Sequence, residues 1–468
     1  MFYFFKNQSG TMLIALMLIV AVFIAMAGGL ASLGVYRNRL YMMQNAEIQA
    51  MHIAEAGVNY YRWHLAHEQE DFFDGTGADP DGIPPNGPYE HTYTSPSGEL
   101  TGKFSLEITP PPTGSTIATI KSIGWADSYP NLKRTVEVRY GIPSLAHYSF
   151  LTNTDVWFGD SESVSGELHS NGGIRMDGTN DSLVTSARET YICTPGHGCS
   201  NEEKPGVWGT GPNSSLWSFP VPAVDFNVIT MDIAQIKADA QAEGVYLASS
   251  GGGNDGYHII FQANGTFDVY VVNDLKSAIE QKNDDWTAYV DNIKEEIDDE
   301  TYDSNYLIPG NGLIYIEDDI WVEGTVNGRA TLVAARLPDN PNKRKTVHIN
   351  GNINYLARDG SHILGLIGQK HVKVPRHAPA DLTIDAILLA QNGRVFRNLY
   401  LPRRVTNSIT VYGGIITNQV WTWTWVGGSG TVDGYNTTNS IYDSQTTFAP
   451  PPSFPTTGEY TFISWEEK

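Results

Sequence analysis

The chain has 468 residues and carries 30 Lys and Arg against 52 Asp and Glu, a formal net charge of −22 at pH 7. A chain this acidic is repelled by phosphate backbones, so we expect no nucleic-acid partner. Its 46 Gly residues favour turns and its hydrophobic content of 41% supports a packed core, which excludes wholesale disorder and predicts a turn-rich, mainly β protein.

The first predicted element is an apolar helix near the N-terminus. No charged residue lies between Lys6 and Arg37. The stretch from Thr11 to Val35 would span roughly 38 Å as a helix, which exceeds the roughly 30 Å core of a bilayer. We therefore expect one membrane span, with the whole acidic remainder on one side. A cleaved secretory signal peptide is the alternative, because small residues lie near the far end of the apolar run.

An amphipathic helix is predicted to continue from the apolar run into water. The stretch from Leu40 to Leu65 contains no proline, and its apolar residues recur at helical spacing. Ala46, Ala50 and Ala54 form a stripe of small residues within it. Such a stripe either lets another helix approach closely or packs on the chain's own soluble part.

The N-terminal pattern resembles a known class of surface proteins. A short leader with a basic residue (MFYFFKNQSG) ends in Gly10, and an apolar run and the helix AEIQAMHIAEAGVNYYR follow. This order resembles type IV pilins and type II secretion pseudopilins, in particular the PilX-like minor pilins. The resemblance implies that a prepilin peptidase cuts between Gly10 and Thr11, which removes residues 1–10 as a leader peptide. It also implies that residues 11–68 form a membrane and stem helix that contacts other pilins or pseudopilins.

One position departs from the pattern of the major pilins. Their mature chains carry Glu as the fifth residue, where this chain has Ala15. The resemblance implies that the missing Glu would pair with the terminal amine of a neighbouring subunit. Ala15 therefore favours a subunit at a pilus tip or in an initiating complex over a repeating filament subunit.

A small antiparallel sheet is predicted within residues 69–143. Three stretches, Lys103 to Thr109, Thr116 to Gly124 and Arg134 to Tyr140, alternate apolar and polar residues and are separated by turn-forming sequences. Three strands need a partner to bury one face, and the amphipathic helix provides one.

Residues 144–450 are predicted to form a parallel β-helix-like solenoid, with a β-sandwich as the alternative. Short β-rich runs here are broken by Gly and Asn, as the corners of a solenoid require. Helical insertions are predicted near 227–243 and 274–298, and residues 451–468 are predicted as a C-terminal tail. The region resembles an uncharacterised bacterial domain found behind PilX-like stems, a resemblance that brings no known activity. Apolar-x-Gly units recur without a strict period and end at Gly166, Gly324, Gly351 and Gly413.

The two cysteines, Cys193 and Cys199, flank a short loop that contains His197. A disulfide fits a chain exported to an oxidising space. A metal site would use both thiolates and the imidazole but lacks a fourth ligand in the sequence, and free thiols are the third alternative.

Trp421, Trp423 and Trp425 alternate with threonines, which predicts three indoles on one face of a strand. They either stack on the sugars of a surface polysaccharide or pack against the rest of the fold.

Acidic residues at a predicted strand end are the main candidates for catalysis. Glu317, Asp318 and Asp319 could supply the acid and base of a carbohydrate-active enzyme, although exposed turn carboxylates are far commoner in so acidic a chain. We therefore predict no catalytic residues.

Other motifs favour neither a metal nor a cofactor. The GxGxxG match at Gly251, Gly253 and Gly256 precedes a strand-like stretch, which indicates a flexible turn instead of a nucleotide site. Two further groups lack metal-ligand spacing: the acidic Asp74, Asp79 and Asp81, and the imidazoles His348, His362 and His371.

The sequence thus predicts a pilin-like structural or adhesive surface subunit. We expect a single-pass protein of the cytoplasmic (inner) membrane with an extracytoplasmic C-terminal part, present in a pilus or at the cell surface. Its expected partners are other pilins, the prepilin peptidase, the membrane and a surface or polysaccharide ligand. A surface carbohydrate-active enzyme and a permanently anchored envelope protein are the alternatives.

Overall fold

The computed structural model of the protein describes residues 9–76, 87–95, 97–112, 114–226, 228–428, 430–457 and 459–468. The chain divides into two units. The first comprises Met1–Pro111, Ile117–Gly141 and Tyr460–Lys468, and the second comprises Pro112–Thr116 and Ile142–Glu459. The prediction of a mainly β protein with one long N-terminal helix is confirmed.

Helix α1 (Ser9–His67) opens the first unit and has 59 residues. Large apolar side chains from Met12 to Val35 are exposed along its first half. By length and composition this half fits a single-pass membrane anchor. The leader predicted at 1–10 lies mostly outside the described residues.

The second half of α1 packs on an antiparallel sheet of the first unit. The strands β1 (Tyr89–Thr94), β2 (Leu100–Thr109), β3 (Ile117–Ala126) and β4 (Lys133–Gly141) lie in that order. The C-terminal strand, Thr461–Glu467, pairs with β4 and forms the fifth strand. The tail predicted at 451–468 is therefore wrong in its last part, because these residues complete the sheet.

The small-residue stripe of α1 is used within the chain. Ala46, Ala50 and Ala54 are buried, and β3 approaches the helix at Gly124, where a Cβ atom would lie 2.3 Å from the carbonyl oxygen of Ala50. Of the two alternatives for the stripe, packing on the chain's own soluble part is therefore the one found. The remaining buried apolar residues of the helix follow at helical spacing: Ile53, Val58, Tyr61 and Leu65.

In its described residues, the second unit consists of strands, one α-helix and short 3-10 turns. The helix is α2 (Val228–Glu243), and the 3-10 turns are Leu145–His147, Pro195–His197, Ser214–Leu216, Pro341–Lys343 and Ser444–Thr446. The strands, in chain order, are β5 (Phe150–Thr152), β6 (Val156–Phe158), β7 (Glu162–Ser165), β8 (Leu168–Ser170), β9 (Ile174–Met176), β10 (Thr179–Asn180), β11 (Val184–Ser186), β12 (Thr190–Cys193), β13 (Glu202–Pro205), β14 (Val207–Trp208), β15 (Trp217–Ser218), β16 (Val245–Leu247), β17 (Gly256–Phe261), β18 (Thr266–Leu275), β19 (Glu280–Lys282), β20 (Tyr289–Val290), β21 (Ile297–Leu307), β22 (Leu313–Ile316), β23 (Ile320–Val326), β24 (Arg329–Ala334), β25 (Val347–Tyr355), β26 (Ile363–Gly368), β27 (Val372–Val374), β28 (Asp381–Ala390), β29 (Val395–Arg397), β30 (Tyr400–Leu401), β31 (Val405–Thr417), β32 (Thr424–Gly427) and β33 (Gly430–Tyr442).

Most of these strands form parallel ladders. The first ladder has the order β16-β22-β24-β26-β28-β31-β5-β8-β11-β15. A second ladder runs β17-β23-β25-β27-β29, and a third runs β28-β31-β33-β7-β10. Strands β6, β9 and β14 form a fourth.

The first ladder is apolar on both faces over much of its length. One row of paired residues that faces the main core is Ile314, Leu332, Leu366, Leu388, Ile415, Phe150, Leu168 and Val184. On the other face α2 contributes Ile233, Ile236 and Ala240 to a second apolar cluster. Burial on both faces explains the nearly continuous apolar runs of these strands in the sequence.

Glycine allows a strand to change its partner within the second unit. Gly413 has φ 142° and separates the residues of β31 that pair with β33 from those that pair with β5. A Cβ atom at this position would lie 2.3 Å from the carbonyl oxygen of Ala386. Gly324, with φ 113°, lies at a register shift in the pairing of β23 with β25.

The order of the first ladder differs from the order of the chain. The first strand of the unit, β5, pairs with β31, which is near its end. The chain therefore enters in the middle of the ladder, proceeds to the β15 edge and resumes at the opposite edge with β16. As a result the two ends of the unit are adjacent: the amide of Leu145 donates to Pro455 O (2.9 Å) and that of Thr457 to Pro143 O (2.8 Å).

The two predicted helical insertions have different outcomes. Helix α2 lies within the first range, but residues 274–298 contain β19, β20 and the start of β21, so the second prediction is wrong. Two acidic side chains of this segment are ion-paired with a distant part of the chain, Glu295 with Lys373 and Asp284 with Lys370. These tertiary contacts outweigh the local helix propensity.

Candidate functional site

The three tryptophans singled out in the sequence have different environments. Trp421 and Trp423 are 5% and 1% exposed and belong to the main apolar core. Regular strand structure in β32 begins only at Thr424, so the prediction that the three indoles share one strand face is wrong. Trp425 is half-buried, and its Nε1 donates to Arg397 O (3.1 Å).

Two of these indoles, together with two others, line a pocket of about 210 Å³ in the second unit. Trp157 comes from β6, Trp286 from the turn between β19 and β20, Trp421 from the segment before β32, and Trp425 from β32 itself. The rings of Trp286 and Trp425 meet edge to face with centroids 4.8 Å apart. The pocket is therefore assembled from segments far apart in the sequence.

Neighbouring side chains fix the two indoles that the sequence analysis missed. The Nε1 of Trp157 donates to Asp177 Oδ2 (2.9 Å), and the guanidinium of Arg175 lies 4.4 Å from the ring centroid. The guanidinium of Arg394 lies 4.4 Å from the ring of Trp286. Cation–π contacts of this kind hold an aromatic ring in place. No local spacing links Trp157 or Trp286 to the other two, so the sequence held no signal for their convergence.

The loop between the cysteines forms another part of the pocket wall. Cys193 and Cys199 are joined by a disulfide, and Gly196 and His197 within the loop line the pocket. The carbonyl oxygen of His197 accepts a hydrogen bond from Arg175 Nη1 (2.8 Å). Burial lowers the pKa of the His197 imidazole, which is therefore neutral at pH 7.

Three polar atoms of the pocket-lining side chains are buried and have no hydrogen-bond partner among the described residues. They are Nδ1 of His197 and the Nε1 atoms of Trp286 and Trp421. A buried polar atom without a partner is costly, so these three side chains leave hydrogen-bonding capacity in the pocket wall that the fold itself does not use.

Among the described residues that line this pocket, Glu162 is the one carboxylate. Its Oε2 accepts a hydrogen bond from the amide of Gly159 (2.8 Å). Burial raises the pKa of the Glu162 carboxyl to about 8. The side chain is therefore mostly protonated and uncharged at pH 7, and its O–H can donate a hydrogen bond.

The acidic candidates for catalysis lie elsewhere and are paired with lysines. Glu317 forms an ion pair with Lys237 (2.5 Å), whereas Asp318 and Asp319 both contact Lys345 (2.6 and 3.5 Å). None of the three lines the tryptophan pocket.

The remaining sequence candidates are also separate from the pocket. Asp74 contacts His91 Nε2 (2.6 Å), whereas Asp79 and Asp81 lie outside the described residues. Gly251 and Gly253 have positive φ in the turn before β17. The three histidines have unrelated local partners, which are the Trp321 ring for His348, the amide of Gly328 for His362 and the amide of Arg394 for His371. In the described part of the chain, no group of three or more His, Cys, Asp or Glu side chains is arranged to hold a metal ion.

Comparisons with known proteins find a structural neighbour but no related sequence. No family model and no curated protein matches the sequence. The structure is similar to the crystal structure of the competence-associated pilin ComZ from Thermus thermophilus, with 14% sequence identity and a TM-score of 0.30. The match covers 90% of this chain and 97% of that one. A TM-score this low does not establish a common fold.

Proposed function

We propose that the protein is a minor pilin-like subunit, placed at the tip or in the initiating complex of a type IV pilus or type II secretion pseudopilus. The observation that carries the proposal is α1, whose first half exposes apolar side chains while its second half is buried on the sheet of the first unit. Such a helix can leave a bilayer and enter a filament core, because it exchanges lipid contacts for contacts with other helices.

The proposal assigns a processing site and a location. A prepilin peptidase cuts between Gly10 and Thr11 and the new terminal amine is methylated. The protein is first a single-pass protein of the cytoplasmic membrane, with the sheet of the first unit and the whole second unit on the extracytoplasmic side. That compartment also suits the disulfide between Cys193 and Cys199. Ala15, in the place of a Glu, favours a subunit present in few copies.

We propose further that the second unit is a parallel β-helix. The pairing pattern supports this, because from β22 to β29 the chain alternates between the first and second ladders and advances one strand in each. A cryo-EM structure of the full chain would test it. A unit this large cannot repeat densely along a thin filament, which again favours the tip.

The mature N-terminus tests the assignment. Mass spectrometry of protein from its native membrane should find a chain that begins at methylated Thr11. The variant Gly10→Val should retain residues 1–10, whereas the matched control Gly28→Val, within the apolar run, should be processed normally. An unprocessed wild-type chain would indicate a permanently anchored envelope protein instead of a pilin-like subunit. Many copies of the protein along purified filaments would exclude a tip position.

A further inference from the structure

We propose that the tryptophan-lined pocket binds one uncharged sugar ring of a surface glycan. The proposal gives the adhesive role a class of ligand. Only the biological setting of this binding, at the cell surface, rests on the proposed function. The pocket belongs to the second unit alone, so binding does not depend on whether the N-terminus is processed.

The walls of the pocket provide flat apolar faces of the kind that sugar rings contact. Trp157, Trp286, Trp421 and Trp425 all line a volume of about 210 Å³. This is below the roughly 300–1,000 Å³ typical of drug-sized ligands, so it suits one ring and not a longer segment. The cation–π contacts of Trp157 and Trp286 limit movement of their rings, and a preformed wall lowers the entropy lost on binding.

The unpaired polar atoms indicate a ligand rich in hydroxyl groups. Trp421 is only 5% exposed, yet its Nε1 has no hydrogen-bond partner among the described residues. The same holds for Nε1 of Trp286 and Nδ1 of His197. Indole N–H groups only donate, whereas a neutral imidazole nitrogen donates or accepts. Hydroxyl groups both donate and accept, so a sugar matches both kinds of atom where a small movement of the ring uncovers them.

The charge of the pocket argues against an ionic ligand. Within the part of the chain that the structure describes, Glu162 and His197 are the ionisable side chains that line it. Burial raises the pKa of the Glu162 carboxyl to about 8 and lowers that of His197, so both are mostly uncharged at pH 7. An ammonium ligand would lack a carboxylate to pair with, and an anionic ligand would lack a cation lining the pocket.

The test measures glycan binding by the full-length protein in detergent. An array of uncharged and anionic oligosaccharides is screened, and the best-bound uncharged one is titrated by calorimetry. We expect Trp425→Ala and Trp286→Ala each to weaken binding at least about tenfold, the scale of losing a well-packed aromatic anchor. The matched control is Trp465→Ala, which removes a 42% exposed indole of the first unit and should bind as wild type.

A second measurement covers the case in which a pocket variant fails to fold. Saturating oligosaccharide should protect Trp425 and Trp286 of the wild-type chain from oxidation by N-bromosuccinimide, as mapped by peptide mass spectrometry, and should leave Trp465 unprotected. The proposal is overturned if no uncharged oligosaccharide binds, if only anionic glycans or tetramethylammonium bind, or if neither pocket tryptophan is protected. A negative result here leaves the N-terminal processing test unaffected, because that test concerns α1.

Discussion

Two carboxyl groups of the second unit, one fully buried and one partly exposed, have different surroundings. Asp433 is fully buried and accepts hydrogen bonds from the guanidinium of Arg397 (2.7 Å) and from the amides of Tyr400 and Arg404 (2.7 and 3.1 Å). Glu162 accepts one from the amide of Gly159, and burial raises its pKa. Asp433 thus accepts from several donors, one of them a guanidinium, whereas desolvation prevails at Glu162 and favours its neutral form.

The raised pKa makes Glu162 a source of pH-dependent stability. The folded chain holds this proton up to about pH 8, whereas an unfolded chain loses it near its ordinary value of 4.5. Because the folded state binds more protons between these values, the free energy of unfolding should fall as pH rises from about 4.5 to 8. Glu162→Gln removes this contribution. Its Tm relative to wild type should therefore rise between pH 5 and pH 8, as measured by thermal unfolding.

The control for this experiment is Glu189→Gln, at an exposed glutamate of the same unit. Its Tm difference from wild type should stay constant between the two pH values. An equal change in both variants would mean that the pH dependence comes from elsewhere in the molecule.

Individual elements could be predicted from the sequence where their signal is local. Helix α1 and strands β2, β3 and β4 follow from helical spacing and alternation, which depend on a few neighbouring residues. The segment 274–298 could not be predicted, because its acidic residues pair with Lys370 and Lys373 of a distant part of the chain. The same reason applies to the pocket: Trp421 and Trp425 could be singled out locally, but their convergence with Trp157 depends on the ladder order.

The contact between α1 and β3 can be tested at Gly124. A Cβ atom there would lie 2.3 Å from both the carbonyl oxygen of Ala50 and the amide of Ala54, and neither backbone atom can move freely. Gly124→Ala should destabilise the first unit by about 1–3 kcal/mol, the usual effect of overpacking. Amide hydrogen exchange of the α1 and β3 peptides measures the change.

Gly310→Ala is the matched control, because a Cβ atom at this position meets nothing within 4 Å. It should change stability by no more than about 0.5 kcal/mol. Equal exchange rates in the two variants would contradict the close approach of α1 to β3.

The chain as a whole carries its large unit as an insertion between two neighbouring strands. Strand β4 ends at Gly141, and its partner in the same sheet, the C-terminal strand, begins at Thr461. The insertion is compatible with this sheet because its own ends are adjacent, which follows from the pairing of β5 with β31 in the middle of the first ladder. A unit with its ends at opposite edges of the ladder would separate the two strands.

This arrangement predicts that the first unit can fold without the second. Gly141 and Thr461 face each other in an antiparallel pair, so residues 142–460 occupy the position of a hairpin loop. Replacing them with Asn-Gly should close a two-residue turn and keep α1 on its five-stranded sheet. In detergent, hydrogen exchange of the β4 amides should remain as slow as in the full chain.

Deletion of residues 142–468 is the control, because it also removes the C-terminal strand and leaves β4 as an unpaired edge with faster exchange. Equal protection in the two variants would contradict the pairing. If the first unit alone directs processing and the second alone binds glycan, the Asn-Gly variant should still begin at Thr11 but bind no oligosaccharide.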